Sequence, residues 1–143
     1  MWGFTPVYTR NVYNKNSTLY GWRNDNKAPI MSRQIVGSRS LPFFRLLSHI
    51  SSKPATFCAT MHEGNYEVII HTGTITSYYS GNKGTEYNMN IRANNTDLVR
   101  NLVVKSDEPF IGRYDVKVGK DNLLEIEFSG TAWGISMIEI YRK

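Results

Sequence analysis

Apolar and polar residues alternate in three successive runs near the end of the chain. The apolar positions are Tyr114, Val116 and Val118, then Leu124, Ile126 and Phe128, then Ile138 and Ile140. Turn-forming residues separate the runs at 119–122 and at 129–130. A period of two is typical of strands with one buried face. The pattern therefore predicts three strands joined by short turns, paired as an antiparallel meander.

The same alternation predicts further strands upstream of this region. They cover residues 55–61, 66–72, 75–79, 86–91 and 98–105. The run 43–50 fits both helical and strand periodicity, and its length and the pattern that follows it favour a strand. This makes about eight strands at a spacing of roughly 8–12 residues, which is typical of an antiparallel sandwich or barrel. The predicted fold class is all-β.

In such a fold, successive turns alternate between the two ends. Counting strands assigns one end the turns at 52–54, 80–84, 106–109 and 130–132. It assigns the other end the turns at 62–65, 94–97 and 119–122. Turns are where binding residues concentrate, so the two ends are the places to look for a site.

The first forty residues differ from the rest of the chain. They are rich in Asn and aromatic residues and show little periodicity, with short strands predicted near 17–22 and 32–36. Aromatic residues in this number indicate an ordered segment, packed on its own domain, on a neighbouring subunit or on a part of a longer parent chain. We predict an irregular arm or collar over 1–40 and a β-sandwich domain over 41–143.

Composition adds limits to this picture. A chain of 143 residues with 41% hydrophobic content is long enough to close a two-layer core as one domain. No apolar run approaches the about 20 residues that a membrane span needs, and the first residues do not read as a signal peptide. Cys58 is the single cysteine, which excludes a disulfide within the chain and favours a buried thiol.

Positive charge is concentrated in the first part of the chain. Residues 1–53 hold eight Lys or Arg against one acid, whereas residues 54–143 hold nine bases and eleven acids. Basic residues interleaved with aromatics are a signal of nucleic-acid binding, and Arg10, Lys15 and Arg23 are the candidates for phosphate contacts. The net acidic remainder makes nucleic acid the less favoured partner.

Catalytic and metal-binding motifs give little signal. The three histidines His49, His62 and His71 do not combine with Cys58 or a carboxylate at metal-ligand spacing, and no nucleotide-binding or serine-hydrolase motif occurs. A catalytic pair between Cys58 and His49 or His71 stays open, although a core cysteine beside ordinary histidines is the favoured interpretation. We predict no enzyme activity, no cofactor and no metal.

Several short motifs carry a resemblance to a known class of proteins. They are Phe43-Phe44-Arg45, Gly64-Asn65-Tyr66-Glu67-Val68, Tyr114-Asp115-Val116-Lys117-Val118-Gly119 and Gly130-Thr131-Ala132-Trp133, with Leu19-Tyr20-Gly21-Trp22 upstream. The run from Leu41 to Tyr141 resembles the C-terminal tip domain of bacteriophage tail fibres and tail spikes, including the fibres of phage-like bacteriocins.

This resemblance implies a jelly-roll-like antiparallel β-sandwich that forms a homotrimer. It implies a non-enzymatic receptor-binding module that attaches to a bacterial surface carbohydrate, joined to the rest of a tail fibre or tail assembly. The location would be the virion, after synthesis in the host cytoplasm and without membrane insertion. We expect no self-cleaving chaperone region after residue 143 and no catalytic β-helix before residue 1, so depolymerase activity is not expected in this stretch.

The last strand carries apolar residues on both faces. Trp133, Ile135 and Met137 alternate on one side, while Ile138 and Ile140 continue on the other. A trimer explains this if the first set contacts a neighbouring subunit. A β-bulge near Met137 that switches the buried face is the alternative.

A sugar-binding surface needs flat aromatics beside amides and charges. One end of the predicted sandwich offers Tyr78, Tyr79, Asn82 and Lys83, and the other offers His62, Asn65, Asn94 and Asn95. We assign the glycan site to the first set, because only that set combines tyrosines with polar groups. For each of these residues taken singly, an ordinary solvated turn is the favoured interpretation, because loop tips are polar by default. The other hypotheses are a nucleic-acid-binding β-domain and a polysaccharide-acting hydrolase domain.

Overall fold

The computed structural model describes residues 12–23, 31–34, 47–72, 86–105 and 110–143, with the backbone alone for 31–34 and 47–50. Within these residues the secondary structure consists of ten β-strands. They are β1 (Tyr20–Trp22), β2 (Met31–Gln34), β3 (Leu47–Ser51), β4 (Ala55–Thr60), β5 (Gly64–Thr72), β6 (Glu86–Ala93), β7 (Thr96–Lys105), β8 (Ile111–Val118), β9 (Leu123–Gly130) and β10 (Trp133–Arg142). The predicted all-β class is confirmed for the described part of the chain.

Two five-stranded sheets pack against each other as an antiparallel β-sandwich. Sheet 1 has the order β1-β4-β9-β6-β7, and sheet 2 has the order β2-β3-β10-β5-β8. Every pair of neighbouring strands is antiparallel. The core lies between the sheets, where Phe128 of sheet 1 stacks on Trp133 of sheet 2 with ring centroids 5.4 Å apart.

The predicted meander of the last three strands is wrong. Strand β8 pairs with β5, β9 lies between β4 and β6, and β10 lies between β3 and β5. The strands themselves are correct, because the alternation of apolar residues reports which face of each strand is buried. It does not report the neighbour, and here the turns after β8 and β9 carry the chain from one sheet to the other.

The N-terminal region contributes to both sheets in the described residues. Strand β1 pairs with β4 in sheet 1, and β2 pairs with β3 in sheet 2. Trp22 at the end of β1 lies in the core against Phe57, Phe128 and Trp133. A domain boundary at residue 40 stays a prediction, and it would separate these two strands from the sheets in which they lie.

The last strand contains a β-bulge. Ile135 pairs with Thr72 and Met137 pairs with His71, so Ser136 is the extra residue. Trp133 and Ile135 precede the bulge and point into the core, at 0% and 4% exposure. This corrects their assignment to a trimer interface, because both side chains are buried within the chain itself. Met137 lies on the outer face beyond the bulge, and its contact with another subunit stays a prediction.

Hydrogen bonds confirm the predicted grouping of turns into two ends, for the turns that are described. At one end, the backbone NH of Glu63 donates to Asn122 Oδ1 at 3.0 Å. At the other end, Trp133 Nε1 donates to the carbonyl of Lys53 at 2.7 Å. The turns at 80–84 and 106–109 lie outside the described residues. The strand predicted over 43–50 is present from Leu47, and residues 43–46 are also outside the description.

Candidate functional site

Two clefts meet at the turn between β6 and β7. The larger one, here called the edge cleft, has a volume of about 380 Å³ and is lined by Ala93, Asn94, Thr96, Leu98, Asp115, Val116, Lys117 and Gly119. The smaller one, here called the face cleft, has a volume of about 60 Å³ and is lined by Arg23, Thr56, Arg92, Asn94, Asn95, Glu125 and Glu127. Asn94 belongs to both linings and separates the two spaces.

Within the residues that the structure describes, the edge cleft forms where one side of the sandwich is open. Strand β7 is the last strand of sheet 1 and β8 is the last strand of sheet 2, so the cleft lies between two sheet edges. Leu98 and Val116 supply apolar surface there, while Asp115 and Lys117 lie on the outward side of β8. Asp115 forms an ion pair with Lys143, and this hydrogen bond raises the pKa of the lysine.

The face cleft lies on the outer surface of sheet 1 and is lined by balanced charges. Arg23 forms an ion pair with Glu125. Arg92 Nε lies 3.0 Å from the carboxylate of Asp97, and Arg92 Nη2 donates to the carbonyl of Asn95 at 3.3 Å. Glu127 pairs in register with Thr56 on one side and with Arg92 on the other. The cleft therefore presents both donors and acceptors with little net charge.

Asn94 forms the boundary between the two clefts, and hydrogen bonds of its side chain fix its position. Its Nδ2 donates to the carbonyl of Lys117 at 2.9 Å and to that of Leu123 at 3.3 Å. Its Oδ1 accepts from the backbone NH of Glu125 at 2.8 Å. The β6–β7 turn is thereby tied to β9 of its own sheet and to β8 of the opposite sheet. The left-handed backbone of Asn94, with φ of 44°, is one that asparagine adopts more readily than most residues.

Asn94→Ala should lower the free energy of unfolding by about 2–3 kcal/mol, because three backbone groups, two of them partly buried, lose their partner. Asn95→Ala is the matched control, since Asn95 has φ of 66° and the same turn environment. It should cost about 1 kcal/mol, the price of alanine in the left-handed region. Urea unfolding of both variants measures the difference. Equal losses would mean that the side-chain bonds of Asn94 contribute nothing.

The residues predicted for the glycan site divide between described and undescribed parts of the chain. Tyr78, Tyr79, Asn82 and Lys83 lie outside the described residues, so their assignment stays a prediction. At the other end, Asn94 and Asn95 line the clefts. His62 and Asn65 lie at the same end but in neither lining, and their carbonyls accept hydrogen bonds from Tyr66 and from the backbone of Lys143.

Most of the lining was missed from the sequence. Thr96 of the edge cleft falls in the turn predicted at 94–97. Asp115, Lys117, Glu125 and Glu127 alternate with the apolar positions of the predicted strands, which marks them only as outward-facing residues. The available signal was their polarity opposite apolar neighbours on the same strand. Polarity along a strand does not predict that β7 and β8 border the same opening, because the two strands belong to different sheets.

Among the side chains that the structure describes, Cys58 and His71 do not form a catalytic pair. Cys58 is buried, as predicted, but it alternates with the core residues Phe57 and Ala59 and so points to the outer side of sheet 1. His71 lies in sheet 2, with Nε2 2.6 Å from Glu139, so the pair of Cys58 with His71 is wrong. A hydrogen bond donated by Tyr141 is the main cause that lowers the pKa of Glu139, with a smaller one from His71.

The described residues offer neither a cluster of metal ligands nor a membrane-spanning helix. They contain no group of three or more His, Cys, Asp or Glu placed to hold a metal ion. No helix long and apolar enough to cross a membrane occurs among them.

Comparison with solved structures gives the class of the protein as a β-sandwich domain. The plant receptor-like kinase FER matches with a TM-score of 0.61 at 16% identity, over 78% of this chain and 32% of that one. The ectodomain of ANXUR2 from Arabidopsis thaliana matches with a TM-score of 0.61 at 18% identity, over 78% and 32%. A calcium-binding mutant of β-glucuronidase 2 from Bacteroides uniformis matches with a TM-score of 0.64 at 11% identity, over 92% and 15%.

These likenesses concern the fold alone, since the identities are low. The chain spans a third or less of the length of each of the three proteins. No family profile and no curated protein sequence matches the chain. None of the three structural neighbours is a phage protein, and the resemblance to tail fibres stays a prediction.

Proposed function

We propose that this chain is a non-enzymatic carbohydrate-binding module whose ligand occupies the edge cleft. The observation that carries the proposal is the combination of size and lining in that cleft. Its volume of about 380 Å³ falls in the range of about 300–1,000 Å³ that is usual for small-ligand sites. Leu98 and Val116 offer apolar surface for the C–H faces of a sugar, and Thr96, Asp115 and Lys117 offer partners for its hydroxyls.

The charges around the cleft favour a neutral ligand. Asp115 and Lys117 line the opening as one acid and one base, and Lys143 already pairs with Asp115. Nucleic-acid binding requires a surplus of positive charge along the contact. Arg23, one of the basic residues predicted for that role, forms an ion pair with Glu125. A neutral polyhydroxylated ligand therefore fits this end of the sandwich better than a phosphate backbone does.

The biological setting of the proposal comes from the sequence resemblance. It is a receptor-binding module of a phage tail fibre or spike, with jelly-roll-like connectivity and a homotrimeric assembly. The passage of β8, β9 and β10 from sheet to sheet supports that connectivity. The solution mass measured by light scattering tests the assembly: three times 16.4 kDa is expected, and a monomer would contradict it.

Binding of the purified chain to a glycan array, followed by two cleft variants, tests the function. Lys117→Ala and Asp115→Asn should each weaken binding at least tenfold, because each removes a charged partner of the sugar hydroxyls. Lys120→Ala is the control, since this exposed lysine lies in the next turn and outside both linings. Melting temperatures of all three variants should stay close to that of the unchanged protein.

Two outcomes would contradict the proposal. Retention of no glycan by the folded, unchanged chain would remove the carbohydrate-binding function. Retention that is insensitive to Lys117→Ala and Asp115→Asn but lost with Tyr79→Ala would place the site at the other end of the sandwich, as the sequence predicts.

One observation favours a second candidate, polysaccharide hydrolysis. Glu125 and Glu127 line the same cleft on one face of β9, and most glycosidases use a pair of carboxyl groups that flank the scissile bond. The volume of about 60 Å³ holds only a few water molecules, however, and the carboxylate of Glu125 is already engaged in the ion pair with Arg23. Release of reducing sugar that Glu127→Gln abolishes would establish the hydrolase instead.

A further inference from the structure

Resting on the proposed function, we infer that the ligand is a neutral oligosaccharide of two or more units that extends from the edge cleft across Asn94 into the face cleft. Both clefts are lined by Asn94. A sugar chain that fills the edge cleft can therefore continue past Asn94 into the face cleft. The face cleft would then be a second subsite, and the protein would recognise several linked sugar units rather than a single sugar.

Asn94 acts as a positioning residue in this arrangement. Both hydrogens of its amide nitrogen and one lone pair of its oxygen are used by the carbonyls of Lys117 and Leu123 and the NH of Glu125. The side chain therefore forms a fixed ridge between the subsites, and it leaves ligand hydrogen bonds to its neighbours. The volumes, about 380 and 60 Å³, assign a whole sugar ring to the edge cleft. They assign one or two protruding groups of the next unit to the face cleft.

Glu127 is the residue that binds the second sugar unit of the ligand, in the face cleft. It lies in register between Thr56 and Arg92, so it is on the middle one of the three strands that line the face cleft. A carboxylate accepts several hydrogen bonds and donates none, which matches the hydroxyl groups of a sugar. The lining carries Glu125 and Glu127 against Arg23 and Arg92, with Asp97 beside Arg92. An acidic sugar would add negative charge to this set, and a neutral one does not.

The test uses the full chain and a ladder of one to six units, made by partial acid hydrolysis of the glycan that the array retains. Calorimetric affinity should rise at least tenfold from one unit to three and change little beyond. Glu127→Gln should lower the affinity for three units about tenfold and leave that for one unit unchanged. Lys117→Ala should weaken binding at every length, because it acts in the edge cleft.

Glu86→Gln is the matched control. It makes the same change at an exposed glutamate at the start of β6, whereas the face cleft is lined by Arg92 near the end of that strand. It should leave the whole ladder unchanged. Affinity that is the same for one unit and for six would overturn the inference while leaving carbohydrate binding in place. An equal loss at all lengths with Glu127→Gln, or no loss, would also overturn it. Failure of the array to retain any glycan would instead be a failure of the proposed function.

Discussion

Trp22→Ala is expected to lower the free energy of unfolding by about 3–5 kcal/mol, the usual cost of removing a large buried aromatic side chain. Trp22 is only 3% exposed. Its ring centroid lies 5.9 Å from that of Phe57, 6.3 Å from that of Phe128 and 5.5 Å from that of Trp133. These partners belong to both sheets, so alanine would leave a cavity at the point where the sheets pack together.

Leu19→Ala is the control for this experiment. Leu19 precedes β1 and is 65% exposed, and a surface change of this kind is expected to alter stability by no more than about 0.5 kcal/mol. Urea unfolding followed by tryptophan fluorescence or circular dichroism measures both variants. If Trp22→Ala cost as little as Leu19→Ala, residues 41–143 would hold their fold without the N-terminal segment. A full-sized loss would mean that this segment belongs to the sandwich core.

Gly130→Ala should destabilise the protein by about 2–6 kcal/mol, through two causes that add. Gly130 has φ of 124°, a conformation that costs an alanine about 1–3 kcal/mol. A Cβ atom there would lie 2.1 Å from the carbonyl oxygen of Asn88 and 2.9 Å from the Cα of Met89. Both atoms belong to the backbone of β6, which pairs with β9 at this point, so relieving the overlap costs a further 1–3 kcal/mol or so.

Gly119→Ala provides the same substitution at a turn without these two causes. The nearest atom to its Cβ would be a carboxylate oxygen of Asp121 at 3.5 Å, an ordinary contact. Thermal unfolding of both variants, with circular dichroism as the signal, should show a large fall in melting temperature for Gly130→Ala alone. Similar melting temperatures would contradict the close approach of β9 to β6 at Gly130.

The candidate site depends on elements that are distant in sequence. The edge cleft combines β7 and its preceding turn with β8. The side chain of Asn94 joins this turn to the end of β8 and to the start of β9. The turn at 94–95 itself was predictable, since two asparagines with positive φ suit a two-residue hairpin. Its position between the two clefts was not, because its bonding partners lie on both sides of the crossing from β8 to β9, with Lys117 before the crossing and Leu123 and Glu125 after it.

What the sequence determined by itself was the set of strands and their buried faces. Val116, Val118, Leu124, Ile126 and Phe128 were placed on buried faces by alternation alone, and all five are buried. The physical reason is that removing apolar side chains from water favours a strand with one dry face, whichever strand lies beside it. The bulge at Ser136 was also visible in the sequence, because the apolar positions change from odd-numbered to even-numbered residues near it. This change alone did not distinguish a bulge from a strand that contacts another subunit on its second face.

Only the tertiary structure decided which strands pair, and therefore where the clefts lie. Backbone hydrogen bonds are chemically alike for every pair of strands, so the pattern of β9 carries no record that β4 and β6 are its neighbours. The choice follows from filling one shared core, in which Trp22 from near the start of the chain packs against Phe128 and Trp133 from near its end. With those pairings made, β7 and β8 become sheet edges, and the polar residues beside them line an opening.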